Sequence, residues 1–237
     1  MIKNLDYTLF KGSKSDIYLE CGLKIKQYNI DEIHSLDNIG YSRYENIIWS
    51  LTRYPYEFKF DLEEIDIDCS TLTSYDIFLM LVNQRDRAMV LADLNFLFDD
   101  DFYLKDGFLQ SDKGRIDSST MLEIKQILEK IMFFKKPKER RPANEDAKKM
   151  IKLQIKKNKD KKVEYDIYSI MYSLVNNPYS SETYDTLLLR TPHQIYASYL
   201  HIQKEKDFDN TMSGLYAGII KSADIDYNKI NWINKIN

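Results

Sequence analysis

The sequence predicts a mainly α (α+β) protein: a helical N-terminal lobe with a small antiparallel β sheet, a basic linker, and an all-helical C-terminal lobe. Apolar residues recur at steps of three and four along much of the chain, a spacing that places them on one face of a helix. Asp106-Gly107 lies between short apolar runs, which is typical of a β-hairpin. Residues 135–144 carry two prolines and five basic residues, a composition typical of a linker. We therefore expect domains at 1–134 and 163–237, joined by a basic linker and exposed helix at 135–162.

Composition favours a protein that folds around its own core. The 237 residues are 43% hydrophobic and include 18 Tyr and 11 Phe, but only 7 Gly and 5 Pro. This balance argues against a low-complexity chain. No apolar run approaches the roughly 20 residues that span a bilayer, and the start of the chain lacks the apolar centre of a signal peptide. Cys21 and Cys69 match no metal or disulfide spacing, so we expect two buried thiols in a reducing cytoplasm.

The small net charge of −3 hides an uneven distribution of charged residues. Between Phe133 and Lys162 there are 13 Lys and Arg residues against 4 Asp and Glu residues, a local balance of +9. The rest of the chain has 21 basic and 33 acidic residues, a balance of −12. The sequence therefore predicts an acidic body with one basic segment.

The predicted sheet lies between residues 88 and 116. Short apolar runs alternate here with Asp99-Asp100-Asp101, Asp106-Gly107 and Lys113-Gly114, which are turn signals. We expect a small antiparallel sheet, joined by a half-buried strand at 23–26, where apolar and basic residues alternate. Residues 61–68 fit a strand, a short helix or a loop.

Helix starts and ends are marked by capping residues, glycine and proline. The strongest start is Thr191-Pro192-His193-Gln194, with a cap, a proline at the first helical position, and Gln three residues after the cap. The helix at 165–175 is apolar on so many sides that we expect it to be buried. The tail at 230–233 is expected to dock back onto the protein. One further helix is predicted from Asn29 or Asp31 to Gly40, and the next ends near Arg53. Other helices are predicted to start at Thr73 or Ser74, Ser118, Ser181 and Asp207. An exposed helix is predicted at 147–160.

Catalytic and metal-binding patterns are weak. His34, His193 and His201 lack the spacing of a zinc site, and the aspartates at 99–101 lack the glycine and terminal glutamate of a calcium loop. We interpret these as ordinary histidines and a solvated turn. The Gly214-Leu-Tyr-Ala-Gly218 spacing favours close packing against a neighbouring helix. No nucleophile, phosphate loop or catalytic triad is recognisable, so we expect no enzyme activity, metal or cofactor.

The basic segment has three interpretations. It could neutralise nucleic-acid phosphates, form a solvated hinge and helix face, or dock on an acidic protein surface, including the body of this protein. Nucleic acid is not favoured, because Phe133 and Phe134 are too few for a stacking platform. The basic residues concerned are Lys135, Lys136, Lys138, Arg140, Arg141, Lys148, Lys149, Lys152, Lys156 and Lys157.

Two stretches of the chain carry a resemblance to a known class of proteins. The first includes Leu23-Lys24-Ile25-Lys26-Gln27, residues 30–33 and 44–52, and the helix at 75–81. The second runs from Ser169-Ile170-Met171 through Thr191-Pro192-His193-Gln194-Ile195-Tyr196 to Gly214–Gly218 and Asn231-Trp232. This pattern resembles tail-module proteins of tailed bacteriophages of low-GC Gram-positive hosts. Such proteins are often encoded near the tape-measure protein and are regarded as tail assembly chaperones.

The resemblance implies a binding function in the host cytoplasm, with no membrane partner. A chaperone of this class would cover apolar helices of the tape-measure protein until tail-tube subunits replace them. The alternatives are a structural virion component, such as a connector or baseplate protein, and a nucleic-acid-binding protein that uses 135–162. Homo-oligomers and presence in the virion stay open. The candidate protein-binding residues, on helices predicted at 192–203 and 208–219, are Tyr196, Tyr199, Ile202, Phe208, Met212, Leu215 and Tyr216.

Overall fold

The computed structural model describes residues 5–35, 40–59, 67–83, 87–105, 108–134, 143–159 and 166–231. Within these ranges the chain is mainly helical with two small antiparallel sheets, so the predicted mainly α (α+β) class is confirmed. The predictions for residues 61–66 and 135–142, and for the tail from Trp232 onward, lie outside the described residues.

The helices account for most of the described chain. Four short 3-10 turns lie between them, at Gly12–Lys14, Pro55–Glu57, Cys69–Thr71 and Ser222–Asp224. The α-helices are α1 (Leu5–Lys11), α2 (Ile30–Ser35), α3 (Gly40–Thr52), α4 (Ser74–Asn83), α5 (Arg87–Phe98), α6 (Ser118–Ile131), α7 (Glu145–Lys159), α8 (Ile167–Val175), α9 (Tyr184–Leu188), α10 (Pro192–Tyr216) and α11 (Tyr227–Ile230).

The larger sheet has the strand order β3 (Tyr103–Lys105), β4 (Phe108–Gln110) and β5 (Arg115–Ile116), all antiparallel. On its inner face, Leu109 and Ile116 are paired and fully buried. The expected antiparallel sheet is therefore confirmed at 103–116. The strand predicted near Leu23 does not join it.

A separate two-stranded sheet pairs β1 (Ile17–Tyr18) with β2 (Lys24–Ile25). Beyond β2, the amide of Lys26 donates to the carbonyl of Leu97 at 3.0 Å, so this hairpin is fixed to the end of α5 instead of the larger sheet. Lys24 also contacts Asp99, with 2.9 Å between Nζ and Oδ2.

The prediction of short strands from residue 88 to residue 98 was wrong, because this segment is helix α5. Its apolar residues are so nearly continuous that periodicity alone does not separate a buried helix from buried strands. In the fold, α5 is buried on several sides, and even Asp93 is only 7% exposed. That carboxylate forms an ion pair with Arg43 of α3, which offsets the cost of its burial.

Helix α6 contacts α3, α4, β5 and α10. Its residues Met121, Ile124 and Leu128 are fully buried. Lys125 is also buried, and its Nζ donates to the carbonyl of Arg53 at 2.9 Å and to Oγ of Ser74 at 3.0 Å. Because a buried ammonium group needs such partners, these bonds fix α6 to the end of α3 and the start of α4.

Side-chain caps start several helices. Asn29 and Thr73 cap α2 and α4 as predicted, since each accepts a bond from the amide three residues later. The predicted caps Ser118 and Ser181 were wrong: Asp117 caps α6 and Thr183 caps α9. In both regions neighbouring residues can all serve as caps, and only the backbone path decides between them. Gly40 begins α3 instead of ending the helix before it.

Buried residues from both predicted lobes form one continuous cluster, which includes Leu9, Ile48 and Leu128 together with Ile167 and Ile195. Backbone contacts also join the two parts, because the amide of Ile30 donates to the carbonyl of Arg190 at 3.0 Å. The division into domains stays a prediction, but the C-terminal helices complete the core that the N-terminal helices begin. Cys21 and Cys69 are half-buried rather than buried.

Candidate protein-binding surface

Helix α10 is a single helix of 25 residues, about 37 Å long at 1.5 Å per residue. Its start agrees with the prediction: Thr191 caps it, Pro192 is the first helical residue, and Gln194 completes a capping box. The predicted second start at Asp207 was wrong. Asp207 lies within the helix, where its backbone carbonyl accepts a bond from the Thr211 hydroxyl at 2.7 Å.

The first turn of α10 is held by side chains that reach other helices. Nε2 of Gln194 donates to the carbonyl of Phe10 in α1 at 2.8 Å. The His193 ring stacks on Phe133, with 4.7 Å between ring centroids, and Nδ1 of His193 lies 3.2 Å from the carbonyl of Lys130. Burial lowers the pKa of His193, so the neutral ring with Nδ1 as donor fits this position.

The proximal half of α10, residues 192–202, packs on the core. Ile195 and Ile202 are buried, and Tyr199 is packed against the core cluster. Tyr196 is half-buried: its hydroxyl accepts from Tyr41 and donates to Glu45, both at 3.4 Å. Burial raises the pKa of Tyr196 to about 12. Of the candidate binding residues, Tyr196, Tyr199 and Ile202 therefore serve as packing residues in this fold.

The apolar face of α10 changes direction between its two halves. The proximal face has the spacing Ile195, Tyr199, Ile202, and its continuation would fall at Lys206 and Asp209, which are charged. The apolar spacing begins again at Phe208, six residues after Ile202. Six steps of about 100° per residue leave the two faces about 120° apart around the helix. The distal apolar residues therefore point away from the direction in which the proximal half meets the core.

We call Phe208, Met212, Leu215 and Tyr216, together with Ile219 just beyond the end of the helix, the distal stripe. The first four are predicted binding residues, and Ile219 belonged to the same predicted helix. Phe208, Met212 and Leu215 are half-buried, whereas Tyr216 and Ile219 are 80% and 81% exposed. No residue from 203 to 216 is buried, so this half of the helix, about 20 Å long, lies at the surface of the described chain.

The chain turns back after α10 along the side that carries Gly214. Gly218, at φ +72°, ends the helix in the left-handed conformation that glycine tolerates. Gly214 lies against Ile220, because a Cβ placed there would be 2.8 Å from Cδ1 of Ile220. Gly218 therefore ends the helix, and Gly214 leaves room for the segment that follows. The sequence had predicted that this spacing would pack against a neighbouring helix. Helix α11, which follows this return, also contacts α10.

A group of tyrosines lies beside α10, on α8 and the segment that follows it. Tyr172, 59% exposed, meets Tyr184 of α9 edge to face, with 5.6 Å between ring centroids. Tyr168 is one turn before Tyr172 and contacts His34. Tyr179 approaches α10, where its hydroxyl donates to Asp209 at 3.4 Å. We call these four tyrosines the tyrosine patch.

The tyrosine patch was missed in the sequence, because α8 was expected to be buried on most sides. Ile167, Ile170 and Leu174 do face the core, but Tyr168 and Tyr172 lie on the opposite face and are exposed. The four-residue spacing of two tyrosines opposite an aliphatic face was the available signal. Tyrosine suits protein interfaces, because it combines a large apolar ring with a polar end.

Part of the basic segment lies on α7. None of the described side chains of this helix is buried. Met150 and Leu153 are 59% and 56% exposed. Lys149 is exposed, Lys148 is half-buried, and Lys152, Lys156 and Lys157 occupy later positions of the same helix. The candidate residues Lys135, Lys136, Lys138, Arg140 and Arg141 lie outside the described residues. Among its described side chains, α7 thus exposes both a lysine and large apolar residues to solvent.

The other candidate sites do not assemble within the described ranges. In the part of the chain that the structure describes, no group of three or more His, Cys, Asp or Glu residues is placed to hold a metal ion. Asp99 contacts Lys24, and Asp100 contacts Lys113 and the hydroxyl of Ser111. None of the described helices has both the length and the apolar content to cross a membrane.

Comparisons with known proteins found no matching family model, no matching curated protein and no matching solved structure. The distal stripe and the tyrosine patch are therefore interpreted from their own chemistry.

Proposed function

We propose that this chain is a non-enzymatic, chaperone-like protein of phage tail assembly. In this proposal it acts in the host cytoplasm and holds an amphipathic helix of the tape-measure or tail-tube protein on the distal stripe. The resemblance of the sequence supplies the class of client. The observation that carries the proposal is the partly exposed apolar stripe on a helix whose other half is anchored in the core.

The spacing of the distal stripe suits a helical client. Phe208, Met212 and Leu215 follow one another at intervals of four and three residues, as the anchors of paired amphipathic helices do. Tyr216 extends the same face in the last turn, and Ile219 follows just beyond Gly218; these two are the most exposed of the five. The tyrosine patch reaches the same helix through Tyr179 and extends the surface with large side chains.

The size of this surface favours a client that can be released. Stable protein interfaces bury about 1,600 Å² in total, and smaller ones are transient. A stripe of about three helical turns with a few adjoining tyrosines falls at the lower end of that scale. A chaperone needs affinity of this kind, because tail-tube subunits must replace it on the tape-measure protein.

The proposal is tested by capture of purified tape-measure fragments and tail-tube protein encoded in the same genome as this chain. The variant Tyr216→Ala/Ile219→Ala removes the two most exposed side chains of the stripe. We expect it to lose at least tenfold in affinity for the tape-measure fragment, measured by titration calorimetry. The matched control is Tyr18→Ala/Phe10→Ala, which removes two exposed apolar side chains from β1 and α1.

Equal affinity of the stripe variant and the wild-type protein would refute the binding role of the stripe. An equal loss of affinity in the control variant would show that capture depends on non-specific hydrophobic contacts. Finding the chain in purified virions by mass spectrometry would favour the structural virion component instead.

A further inference from the structure

Strand β3 forms an open edge of the larger sheet. The strand order β3-β4-β5 gives it one neighbouring strand, and all three of its residues are exposed. The start of the strand is held firmly, because Phe102 is 5% exposed and its ring packs on Phe98 with 5.3 Å between centroids. The amide of Phe102 donates to Oδ1 of Asn95 at 2.8 Å, which closes the edge at that point. Within the described chain, the open part of this edge is therefore 103–105.

The pairing of the strands shows which backbone groups face the open edge. The amide of Ser111 in the β4–β5 hairpin donates to the carbonyl of Gly114 at 2.8 Å, so these residues form a hydrogen-bonded pair. Such pairs alternate with non-hydrogen-bonded pairs along antiparallel strands, so Leu109 directs its N–H and C=O groups toward β5. Leu104, which lies opposite Leu109, then forms a non-hydrogen-bonded pair with it. The N–H and C=O groups of Leu104 therefore point away from β4, to the open edge.

The side chains of β3 are divided between the two faces of the sheet. Leu104 shares the inner face with Leu109 and Ile116, because residues opposite one another project to the same side. Leu109 and Ile116 are 2% and 0% exposed, whereas Leu104 is 43% exposed, so the core leaves this leucine half uncovered. Tyr103 and Lys105 project to the outer face and are exposed there.

We propose that β3 pairs antiparallel with β3 of a second copy, about a two-fold axis between their Leu104 residues. An antiparallel pairing that uses all of 103–105 in both copies has to be centred on Leu104. The N–H and C=O groups of each Leu104 then bond to those of the other, as in any hydrogen-bonded pair. Two three-stranded sheets thereby become one continuous sheet.

The two-fold register also matches the side chains. On the inner face, each Leu104 packs on the other. On the outer face, Tyr103 of one copy lies opposite Lys105 of the other, within reach of a cation–π contact. Arg115 and Phe108 form such a contact on this same face within one copy, with 5.0 Å from the guanidinium carbon to the ring centroid. A lysine on a sheet edge commonly discourages association, but this register places it against a ring.

The contact is small, so the association is weak and closes at two copies. It uses three residues from each chain, well below the roughly 1,600 Å² that a stable interface buries. The same patch of both copies forms it, so it is isologous and does not extend into a filament. It includes no residue of the distal stripe or the tyrosine patch.

Cysteine trapping tests the register in a Cys21→Ala/Cys69→Ala background. Leu104→Cys places two thiols opposite each other, and the about 5.5 Å between the Cα atoms of a hydrogen-bonded pair suits a disulfide. Tyr103→Cys and Lys105→Cys chains face each other only when mixed. We expect disulfide dimers from Leu104→Cys, and from the mixture, at least about tenfold faster than from Tyr103→Cys alone. Non-reducing gel electrophoresis under mild oxidation measures the rates.

The matched control adds Leu104→Pro to both chains of the mixture. Proline removes the outward N–H of residue 104 and leaves the bonds between β3 and β4 in place, because that group is not used there. We expect crosslinking to fall at least about tenfold, while circular dichroism shows that the variant keeps its fold. Tyr18→Cys, at an exposed position of β1, gives the rate of random collision.

Three results would overturn the inference. If Leu104→Cys forms disulfides no faster than Tyr18→Cys, the two edges do not meet at Leu104. If Tyr103→Cys alone reacts as fast as its mixture with Lys105→Cys, the strands meet in no fixed register. Crosslinking that survives Leu104→Pro would show that backbone pairing does not hold the contact. No client is present in these reactions, so their outcome is independent of the proposed function.

Discussion

Replacing side chains near the start of α10 and around its end should have opposite effects on stability and on binding. Ile195 is fully buried, whereas Tyr216 and Ile219 are 80% and 81% exposed. Ile195→Ala removes burial worth about 0.8 kcal/mol per methylene and leaves a cavity, while alanine returns about 0.4 kcal/mol through helix propensity. We expect a loss of about 2–4 kcal/mol in the free energy of unfolding.

Tyr216→Ala/Ile219→Ala should change the free energy of unfolding by less than about 0.5 kcal/mol, because it removes side chains that stay in water. Urea denaturation followed by circular dichroism measures both variants, and an unchanged slope shows that the midpoint shift is a change in stability. Ile195→Val is the control, with an expected loss of about 1 kcal/mol.

A loss of more than about 1 kcal/mol in the distal variant would refute the reasoning, since it would mean that Tyr216 and Ile219 are packed within the chain. A loss below about 1 kcal/mol in Ile195→Ala would show that the proximal half does not hold α10 to the core.

Three further predictions concern a cap, a half-buried histidine and a glycine. Asp117→Ala should cost about 1–2 kcal/mol by removing the cap of α6. Bonds from the amide of Thr120, the largest cause, and from the hydroxyl of Ser119 lower the pKa of Asp117 to about 2. The stability from this cap is therefore present above about pH 4 and is lost as pH falls toward 2. Burial lowers the pKa of His193, so stability should fall as pH drops below about 6.5, and His193→Gln should flatten that dependence. Gly214→Leu should displace Ile220 and speed hydrogen exchange in residues 217–226, while Ser213→Leu, at an exposed neighbour, should not.

Each of these has a clear contrary result, read from denaturation at several pH values or from exchange rates. Asp117→Asn, which keeps an acceptor oxygen, should retain much of the cap, and equal losses in the Ala and Asn variants would argue against capping. An unchanged pH profile in His193→Gln would mean that another group titrates. Exchange in 217–226 that is the same in Gly214→Leu and the wild-type protein would show that the return segment does not depend on the close approach.

Local signals in the sequence predicted the parts of the fold that local chemistry determines. Thr191, Pro192 and Gln194 each form the predicted start of α10, because a cap and a fixed proline φ act over only a few residues. Where several capping residues are adjacent, as at Asp117 and Ser118, the sequence could not select one. The segment 88–98 was misassigned because a continuous apolar run satisfies both a buried helix and a buried strand.

The candidate surface was predicted only in part, because exposure depends on packing between distant segments. The apolar spacing of Tyr199 and of Tyr216 looks alike in sequence, yet the first is packed against the core and the second is open. What separates them is the interval of six residues between Ile202 and Phe208, which turns the second face away. Tyr168 and Tyr172 were assigned to the core for the same reason: the sequence shows that they are apolar, but not which side of α8 is covered.

The change of direction within α10 also affects how this protein can vary. Under the proposed function, selection for folding acts on the proximal positions and selection for partners acts on the distal stripe, and the two demands share no side chain. A substitution in the distal stripe would then alter which protein is recognised without destabilising the anchored half. A lineage carrying such a helix would adopt new clients while its scaffold stays the same.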